Sequence, residues 1–529
     1  MKNFTVLIVI MILSFGCRET INTLSMVDIN EMKRVTSEIS SDEFAGRMPF
    51  TDGEKLSVEY LAKELEKIGF EPAFGDSYFQ MVPMVMITSS VKGDVQFKVN
   101  GKTIQLKAPD QIAINSPQTL ERVLINSSKL VFAGFGIDSD EWNWNDYEGL
   151  DLKGKTVIVM INDPGLYSGD SSLFKGREMT YFGRWTYKFE EAARKGADAV
   201  LIIHETEGAG YDFNVPRGSS ITPRFFIDDN GASKRSLANG WLSAESAGII
   251  FKELGYDIDS LRSASARRGF KPFELNATFS AEISNKIVRN SSTNVAGILK
   301  GKIKQEEAVI ITAHWDHFGV GEPQHGDSIY NGAVDNGTTM AWALEIGRML
   351  NKSGESPERS VIILFPTAEE QGLIGSEFYA QNPVISMENT IACLNNDMMV
   401  PRGRMRDVTM IGYGYSTLDS LYEVMALKQD RYLLPDPNSH TGLFFRSDHF
   451  PFFKRGVPSI WAYGCYDSRE HGKEWAKSTW DDFIANVYHR PADNFNPEWD
   501  WSGVAEDVSL AYDVVRELVK IDTPRPKIK

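Results

Sequence analysis

The sequence predicts an α/β protein: a three-layer sandwich around a mixed, mostly parallel central sheet, with an inserted β-rich module. From about residue 286 onward, short β-like runs alternate with amphipathic segments of helical period, a pattern typical of helices packed on a parallel or mixed sheet. Between about 84 and 135 the pattern changes to short β-like runs alone. These two patterns indicate that the chain contains two structurally different parts.

Each predicted element has a local signal. Residues 29–70 predict two helices, Ile29–Ser40 and Gly53–Ile68, with apolar residues near helical spacing and Gly69 ending the second. The predicted strands are Val95–Val99, Thr103–Leu106, Lys129–Phe135, Lys155–Ile161, Ala199–Ile203, Ala308–Thr312, Ser360–Phe365, Thr390–Leu394, Val408–Ile411 and Pro458–Tyr463. The further predicted helices are Thr186–Lys195, Gly337–Leu350, Gly375–Gln381, Thr417–Leu427 and Ser502–Ile521.

Composition and charge limit the possible functions. The chain has 529 residues, 42% apolar and 24% charged, an ordinary globular composition that at roughly 100–200 residues per domain predicts two to four domains. With 56 basic and 72 acidic residues the formal net charge is −16. No cluster of Lys and Arg with interleaved aromatics occurs, so we expect no nucleic-acid binding. Three cysteines are too few for a disulfide scaffold, and Cys393 and Cys465 either pair or stay single buried thiols.

Residues 1–17 resemble an export signal. The apolar run Phe4–Leu13 is too short to span a bilayer and fits the apolar region of a signal peptide. The small residue and cysteine that follow resemble the end of a bacterial lipoprotein signal, with Cys17 as the lipidated residue. We therefore expect an exported protein with a short tether at 18–28, anchored by lipid, with Arg18 favouring the outer membrane. The alternative is an ordinary secretory signal and a periplasmic or secreted protein.

Acidic and histidine side chains follow three predicted strands of the main domain. Ligand sites in open α/β sheets lie beyond the carboxyl ends of the strands, so these side chains are expected at one edge. They are His314, Asp316 and His317 after the first strand, Glu369 and Glu370 after the second, and Asp397 after the third. Asp335, just before a helix, and His489, much later in the chain, are two further candidates.

Five of these positions form a set suited to zinc, with two imidazoles and three carboxylates: His314, Asp335, Glu370, Asp397 and His489. An open catalytic zinc takes about three protein ligands, so five side chains can hold two ions if one carboxylate bridges them. We therefore expect two zinc ions around a shared water. Taken alone, an Asp at the position of Asp335 is more often a helix cap, and paired residues such as Glu369 and Glu370 are usually solvated loop residues.

The motifs around these residues resemble the co-catalytic zinc exopeptidases, a family that includes bacterial leucyl aminopeptidases, glutamate carboxypeptidase II and the glutaminyl cyclases. The matching segments lie between about 286 and 522, in the order of the family. They are HWDH (314–317), GAVDNGTT (332–339), PTAEEQGLIGS (366–376), NNDM (395–398), RSDHFPF (446–452), GVP (456–458) and YHRPADN (488–494). The resemblance implies the zinc exopeptidase fold, built from residues 29–83 and 284–529 as one discontinuous domain.

The resemblance also implies roles for the metal-binding residues. Asp335 would bridge the two ions, with His314 and Asp397 completing one site and Glu370 and His489 the other. Glu369 matches the general base, which takes the proton of the attacking water and passes it to the leaving amine.

Further residues are expected to support this centre. Asp316 is expected to accept the second N–H of the His314 imidazole, and Asn336 to follow Asp335 through a cis peptide. Ser447 and Asp448 are expected to organise the wall of the site. Tyr463 and Tyr466 are candidate oxyanion donors by position only, and His317 and His449 are expected to be structural.

The middle of the chain resembles a known insertion. Residues 129–165 and 180–205 are similar to the protease-associated domain found inserted in this family, so we expect residues 84–283 to form it. Its expected role is to shape or cover the cleft and limit substrate size, with a passive spacer as the alternative. Nucleotide binding is rejected because the glycines near residue 210 do not form the G-x-G-x-x-G fingerprint.

Four functions are compatible with these motifs, and peptides are the expected partners. The first is a zinc aminopeptidase that removes N-terminal residues through a metal-bridging hydroxide. The second is a carboxypeptidase or dipeptidase on the same centre, which needs Arg446, Arg455 or Arg490 placed for a terminal carboxylate. The third is glutaminyl-cyclase-like acyl transfer using one zinc, and the fourth an inactive, transferrin-receptor-like ectodomain. The complete set of five ligands speaks against the last two.

Overall fold

A computed structural model describes residues 23–529 of the chain. The predicted signal, Cys17 and the start of the predicted tether lie outside the described residues. Across residues 23–529, none of the helices combines the length and the apolar character needed to cross a membrane.

The N-terminal helices pack on the main domain, as predicted. They are α1 (Ile29–Ile39) and α2 (Asp52–Lys67), followed by the short strand β1 (Glu71–Pro72). The Asp28 side chain caps α1 by accepting hydrogen bonds from the first free N–H groups of the helix. The apolar faces of both helices pack into the same core as the strands and helices that follow residue 294. This N-terminal part therefore belongs to the main domain, although the insertion lies between the two in sequence.

The insertion contains both strands and helices. Its strands are β2 (Phe79–Val91), β3 (Val95–Val99), β4 (Lys102–Leu106), β5 (Ile112–Asn115), β6 (Arg122–Phe132), β7 (Asp138–Ser139), β8 (Trp144–Asn145), β9 (Lys155–Met160), β10 (Ala199–Ile203), β11 (Arg224–Ile227) and β12 (Ala238–Leu242). Its helices are α3 (Pro164–Ser168), α4 (Trp185–Arg194), α5 (Thr206–Ala209), α6 (Asn214–Ile221), α7 (Ala244–Glu253) and α8 (Ile258–Ser265).

The centre of the insertion is a parallel sheet. Strands β6, β9, β10 and β12 pair in parallel in that order, and β5 adds an antiparallel edge. Parallel neighbours need crossover connections, which the intervening helices supply. The predicted β-rich character therefore describes its first half, whereas the second half is α/β.

One very long strand, which the sequence did not predict, joins the two parts. β13 (Phe273–Leu299) pairs with β3 and β6 in the insertion through its first half. Its second half pairs with β2 over Ile283–Val295 and then enters the main sheet. The boundaries of the insertion thus fall inside two continuous, hydrogen-bonded strands, and no free linker separates the two parts.

The main domain continues with strands and helices that alternate largely as predicted. Its strands are β14 (Lys304–Thr312), β15 (Gly319–Gln324), β16 (Asp327–Tyr330), β17 (Arg359–Phe365), β18 (Thr390–Asn395), β19 (Asp407–Ile411), β20 (Tyr432–Pro435) and β21 (Ser459–Tyr463). Its helices are α9 (Thr339–Lys352), α10 (Ile374–Gln381), α11 (Leu418–Lys428), α12 (His449–Phe453), α13 (Gly472–Asn486) and α14 (Ser502–Leu518).

The main sheet is mixed and mostly parallel, which confirms the predicted fold class. Its strand order is β1–β13–β17–β14–β18–β21–β19–β20, in which the β1–β13, β13–β17 and β21–β19 pairs are antiparallel and the other four pairs are parallel. Alternate residues of β14 and β17 point to opposite faces. Val309 and Ile363 pack into the core that includes α9 and α14, whereas Ile310 packs into a second core with residues of α10 and α12. The sheet is therefore the middle of three layers.

The two cysteines of the main domain stay single. Cys393 and Cys465 are both buried and form no disulfide. Cys393 lies in the apolar core under the sheet, and burial raises the pKa of its thiol well above the usual value. Of the two alternatives left open by the sequence, the structure has the single buried thiols.

Candidate metal centre

The predicted ligands converge at the carboxyl edge of the main sheet. His314 follows β14, Glu370 follows β17 and Asp397 follows β18, and these three strands are neighbours. Asp335 lies in the turn before α9, and His489 follows α13. All but His489, whose side chain is 33% exposed, are nearly inaccessible to solvent.

Asp335 lies between the two histidines. Its Oδ1 is 3.3 Å from Nε2 of His314, and its Oδ2 is 3.1 Å from Nε2 of His489. On the first side, His314 Nε2 is also 3.4 Å from Oδ1 of Asp397; on the second, His489 Nε2 is 3.3 Å from Oε2 of Glu370. Each carboxylate oxygen of Asp335 thus faces a different pair of side chains, the arrangement that a bridging ligand requires.

Asp316 orients His314 in a different way from the one predicted. The Nδ1 of His314 lies 3.0 Å from the main-chain oxygen of Asp316, whereas the Asp316 carboxylate is 3.8 Å away. That carboxylate instead accepts hydrogen bonds from the main-chain N–H groups of Glu369 and Glu370. With Nδ1 donating to a carbonyl, Nε2 of His314, which lies toward Asp335 and Asp397, is the ring nitrogen available to a metal ion. Asp316 therefore holds both the histidine and the turn with the two glutamates.

The turn after β17 separates its two carboxylates. Glu370 lies on the His489 side, where its Oε1 is 2.7 Å from Nδ1 of His317. His317, expected to be structural, thus positions a candidate ligand. Glu369 lies on the other side, with Oε2 3.9 Å from Nε2 of His314.

The wall near Asp397 is built from residues of the RSDH segment. The Ser447 hydroxyl donates to Oδ2 of Asp397 at 2.9 Å and accepts a hydrogen bond from the Asn395 amide. Asp448 is fully buried, and burial together with its neighbours Asp397 and Glu370 raises its pKa to about 7. His449 is buried and packs among aromatic rings, including that of Phe444.

Asp493, which the sequence analysis did not name, holds the loop of Asp335 together with Asn336, which it did. The Asp493 carboxylate accepts hydrogen bonds from the N–H groups of Val334 and Asp335, both at 2.9 Å. The peptide bond between Asp335 and Asn336 is cis, as expected from the resemblance. The Asn336 side chain accepts hydrogen bonds from Thr339 and from the main-chain N–H of Met398, which ties the loop to the segment after β18.

Arg47 supports this loop from the side of the core. Its guanidinium is fully buried and donates to four main-chain carbonyls, two in the metal-site loop (Asn331 and Gly332) and two outside it (Ile39 and Trp315). Arg47 comes from the segment between α1 and α2, so the N-terminal part of the chain helps to build the candidate metal centre.

We expect replacement of Arg47 by Gln to lower the free energy of unfolding by about 3 kcal/mol or more, because several buried carbonyls lose their donors. Zinc affinity should fall as well, since the loop of Asp335 loses its support. Chemical denaturation and metal titration measure the two effects. The matched control is Arg177→Gln, which removes an exposed arginine paired with Glu207 and should change stability by less than about 1 kcal/mol. Equal effects of both substitutions would contradict the role of Arg47.

Charge is unbalanced in the cluster. Burial opposes ionisation of His314, but Glu369, Asp335 and Asp397 raise the pKa of its imidazole well above the usual value. Burial likewise raises the pKa of Glu369 well above its usual value. Burial also acts to raise the pKa of Glu370, but the nearby His489 and His317 outweigh this effect and lower that pKa to about 2. The protein holds more acidic groups here than its histidines can neutralise.

The cluster fits divalent metal ions. Two sets of side chains each offer ligand atoms within 4.8 Å of one another: His314, Asp335 and Glu370, and His314, Glu369 and Asp397. Nε2 of His314 and Oδ1 of Asp335 are buried without a hydrogen-bond partner, which is costly unless a cation satisfies them. Imidazole nitrogens with carboxylate oxygens form the donor set that zinc prefers.

The tyrosine beside this centre is Tyr488, not the two predicted ones. Tyr463 stacks on Trp461, and Tyr466 accepts a hydrogen bond from Asn438; within the described residues neither makes a hydrogen bond or a ring contact with any of the five candidate ligands. The Tyr488 ring lies 3.7 Å from the His489 ring. Burial, and then the negative charges of Asp335 and Glu370, raise the pKa of its phenol well above the usual value, so it stays a proton donor. Its position directly before a predicted ligand was the signal available in the sequence.

Comparison with known families confirms the predicted resemblance. Residues 294–513 match peptidase family M28. This segment contains all five candidate ligands and Glu369.

Curated relatives match over shorter stretches. A mouse protein, aminopeptidase NAALADL1, is 33% identical over 140 residues, which are 25% of this chain and 17% of the relative. A maize protein, probable glutamate carboxypeptidase VP8, is 28% identical over 233 residues, 40% of this chain and 31% of the relative. The chain thus spans less than a third of the length of these relatives. The solved structure of an aminopeptidase from Aneurinibacillus sp. strain AM-1 is 18% identical with a TM-score of 0.49, covering 94% of this chain and 95% of the other.

Proposed function

We propose that this chain, whose residues 294–513 match peptidase family M28, is a zinc-dependent exopeptidase that acts as an aminopeptidase on peptides. The observation that carries the proposal is the position of Asp335, with one oxygen toward His314 and the other toward His489. Three further acidic side chains, Glu369, Glu370 and Asp397, complete a centre that can hold two ions.

The chain's own residues divide the work of peptide hydrolysis. His314 and Asp397 would hold one zinc, Glu370 and His489 the other, and Asp335 both. Zinc bound there supplies Lewis-acid polarisation of the scissile carbonyl and lowers the pKa of a bound water. Glu369, held by the Asp316 carboxylate through its main-chain N–H, takes the proton of the attacking water and returns it to the leaving amine.

Tyr488 is proposed to assist the reaction from its position beside His489. Its phenol lies beside His489 and stays protonated next to Asp335 and Glu370. A neutral donor at this position can give a hydrogen bond to the oxygen that gains negative charge during attack.

The insertion is proposed to shape the substrate cleft. Its segment before α4 packs on the main domain next to Ser447: the Tyr181 ring lies 4.9 Å from Phe450 and 5.9 Å from Phe445. The Met179 N–H donates to the main-chain oxygen of Ser439. These contacts favour a wall or cover over a passive spacer. The resemblance of the insertion to a protease-associated domain remains a prediction, as do the export signal and the lipid anchor at Cys17.

A carboxypeptidase or dipeptidase is the second candidate, and one residue favours it. Of the three arginines considered, Arg455 is engaged by Glu377 at 2.6 Å, and Arg490 donates to the main-chain oxygen of Ala485 near the surface. Arg446 makes no side-chain hydrogen bond or ion pair within the described part of the chain, and its charge acts on Tyr488.

The substrate class can be tested with matched peptides. We expect the zinc-loaded protein to hydrolyse aminoacyl anilides and free peptides, and to lose this activity when the N-terminus is acetylated. Release of N-terminal residues, followed by mass spectrometry, measures the outcome. Activity confined to N-acetylated peptides would reject the aminopeptidase and favour the carboxypeptidase, and no hydrolysis of either group would reject both.

A further inference from the structure

The structure holds the two candidate histidine ligands in different ways. The His314 ring is buried, and its Nδ1 lies 3.0 Å from the main-chain oxygen of Asp316. The His489 side chain is 33% exposed, and its polar contacts within residues 23–529 are made by Nε2 alone, toward Asp335 and Glu370. A histidine that binds a metal almost always donates its second N–H to a carboxylate, a main-chain carbonyl or water, which orients the ring. Because the described residues place no such acceptor at Nδ1 of His489, packing has to orient this ring.

Two aromatic rings supply that packing. The Tyr488 ring lies 3.7 Å from the His489 ring, and the Phe318 ring lies 4.6 Å from it at an interplanar angle of 71°. An edge-to-face arrangement at this distance is a preferred geometry for two aromatic rings. Tyr488 directly precedes His489 in the chain, so its contact is local. Phe318 comes from the segment after β14, so its contact joins the imidazole to a different part of the main domain.

Phe318 is itself held on both sides along the chain. His317, directly before it, has its Nδ1 2.7 Å from Oε1 of Glu370. Directly after it begins the β15–β16 hairpin, in which Gly319 pairs with Tyr330. The Tyr330 ring packs edge-to-face on the Phe318 ring at 6.0 Å. Phe318 is therefore fixed between a residue that contacts one candidate ligand and a hairpin, and its ring contacts another candidate ligand.

We propose that Phe318 is a positioning residue for His489. Its ring keeps the imidazole turned so that Nε2 lies toward Asp335 and Glu370, which raises the zinc affinity of the His489 side of the centre. A ligand that is already oriented loses less conformational freedom when the ion binds, so affinity increases without a new contact to the metal. This inference rests on the proposed zinc peptidase function and adds to it the residue that orients the most exposed candidate ligand.

Zinc titration of the metal-free full chain tests the proposal, with a chromophoric chelator of known affinity as the competitor. Phe318→Ala should weaken the binding of one of the two zinc ions by roughly 10-fold, as loss of a residue that orients a metal ligand does, and leave the other unchanged. Phe318→Tyr keeps the ring and should bind both ions as the unchanged protein does. Equal zinc affinities of Phe318→Ala and the unchanged protein would overturn the proposal.

Phe495→Ala is the matched control. Phe495 is a partly exposed phenylalanine a few residues after His489, and its ring packs on Trp499 at 5.6 Å. Its removal should leave both zinc affinities unchanged, and a loss equal to that of Phe318→Ala would overturn the assignment to Phe318. Circular dichroism of the metal-free variants checks that they fold. If Phe318→Ala does not fold, Phe318→Leu, which keeps most of the volume without the ring, should show the same loss to a smaller extent.

A double-mutant cycle shows whether Phe318 acts through His489. His489→Ala alone should remove most of the zinc binding on its side of the centre. If Phe318 only positions this histidine, combining Phe318→Ala with His489→Ala should weaken zinc binding no further. Additive losses would overturn the positioning role, because Phe318 would then support the centre without His489.

Kinetics separate failure of this inference from failure of the proposed function. At saturating zinc, Phe318→Ala should regain most of the kcat of the unchanged protein on an aminoacyl anilide, since only occupancy is lost. Weaker zinc binding by Phe318→Ala, with no peptide hydrolysis by the zinc-loaded unchanged protein, would keep the positioning role and reject the peptidase. Unchanged zinc affinity with an altered preference for the N-terminal side chain would keep the peptidase, overturn the positioning role and make Phe318 a substrate contact.

Discussion

Replacing Glu369 with Gln should reduce peptide hydrolysis by about 10²–10⁴-fold and leave the zinc content unchanged. The amide has the size of the carboxyl group but cannot take a proton from water. Glu369 Oε2 is 3.9 Å from His314 Nε2, and the Asp316 carboxylate holds its main chain, so the substitution should not disturb the position of the turn. Steady-state kinetics on an aminoacyl anilide and elemental analysis of the purified variant give the two values.

The matched control is Glu377→Gln. Glu377 lies on α10, a few residues after Glu369, and is paired with Arg455 away from the centre. Its substitution should change kcat by less than about 3-fold, the effect of a part-buried pair that does not touch substrate. A fully active Glu369→Gln variant would remove Glu369 from the role of general base. A variant that loses zinc would instead make Glu369 a ligand, in agreement with its position near His314 and Asp397.

Replacing Asp335 with Asn should release zinc from both sites, because both of its oxygens face candidate ligand sets. The amide nitrogen cannot bind a cation and would lie toward one of the histidines. Loss of a hydrogen-bonding partner around a metal already costs about 10–100-fold in affinity, and loss of a shared direct ligand should exceed this. Elemental analysis after dialysis against buffer without zinc measures the metal that remains bound.

Substitutions of the two histidines serve as the comparison. His489→Ala and His314→Ala each remove a ligand from one side of Asp335 and should release zinc mainly from that side. The bridging role is supported if Asp335→Asn loses more zinc than either single histidine variant. If Asp335→Asn loses no more than His489→Ala, then Asp335 serves one ion only, and the two-ion centre must be abandoned.

The sequence predicted the main domain well because its signal is local. In β14 and β17, apolar runs end next to acidic and histidine residues, and the rule that sites lie beyond the carboxyl ends of strands locates them without coordinates. The same kind of reasoning missed β13, because a strand that serves two sheets changes partners and buried face along its length and shows no single period. The sequence also predicted the second half of the insertion incompletely. Its parallel sheet depends on which strands become neighbours, and local patterns do not specify this.

Within the site, the candidate ligands could be predicted from the sequence, but two supporting residues, Arg47 and Asp493, could not. His314 and Asp397 stand in motifs with recognisable neighbours, whereas Arg47 reaches the loop of Asp335 from more than 280 residues away in the chain. For Asp316 the residue was predicted correctly but not its contact, because the choice between carbonyl and carboxylate depends on where the turn of Glu369 comes to lie.

The amino-acid order alone determined the alternation of strands and helices and the chemistry of the candidate ligands, since each is encoded by neighbours along the chain. The tertiary structure decided which oxygen of Asp335 faces which histidine, that the Tyr488 ring lies beside His489, and that Arg47 reaches the loop of Asp335. Most of these features depend on distances between segments far apart in sequence. Packing sets such distances to within an ångström, and no local period records them.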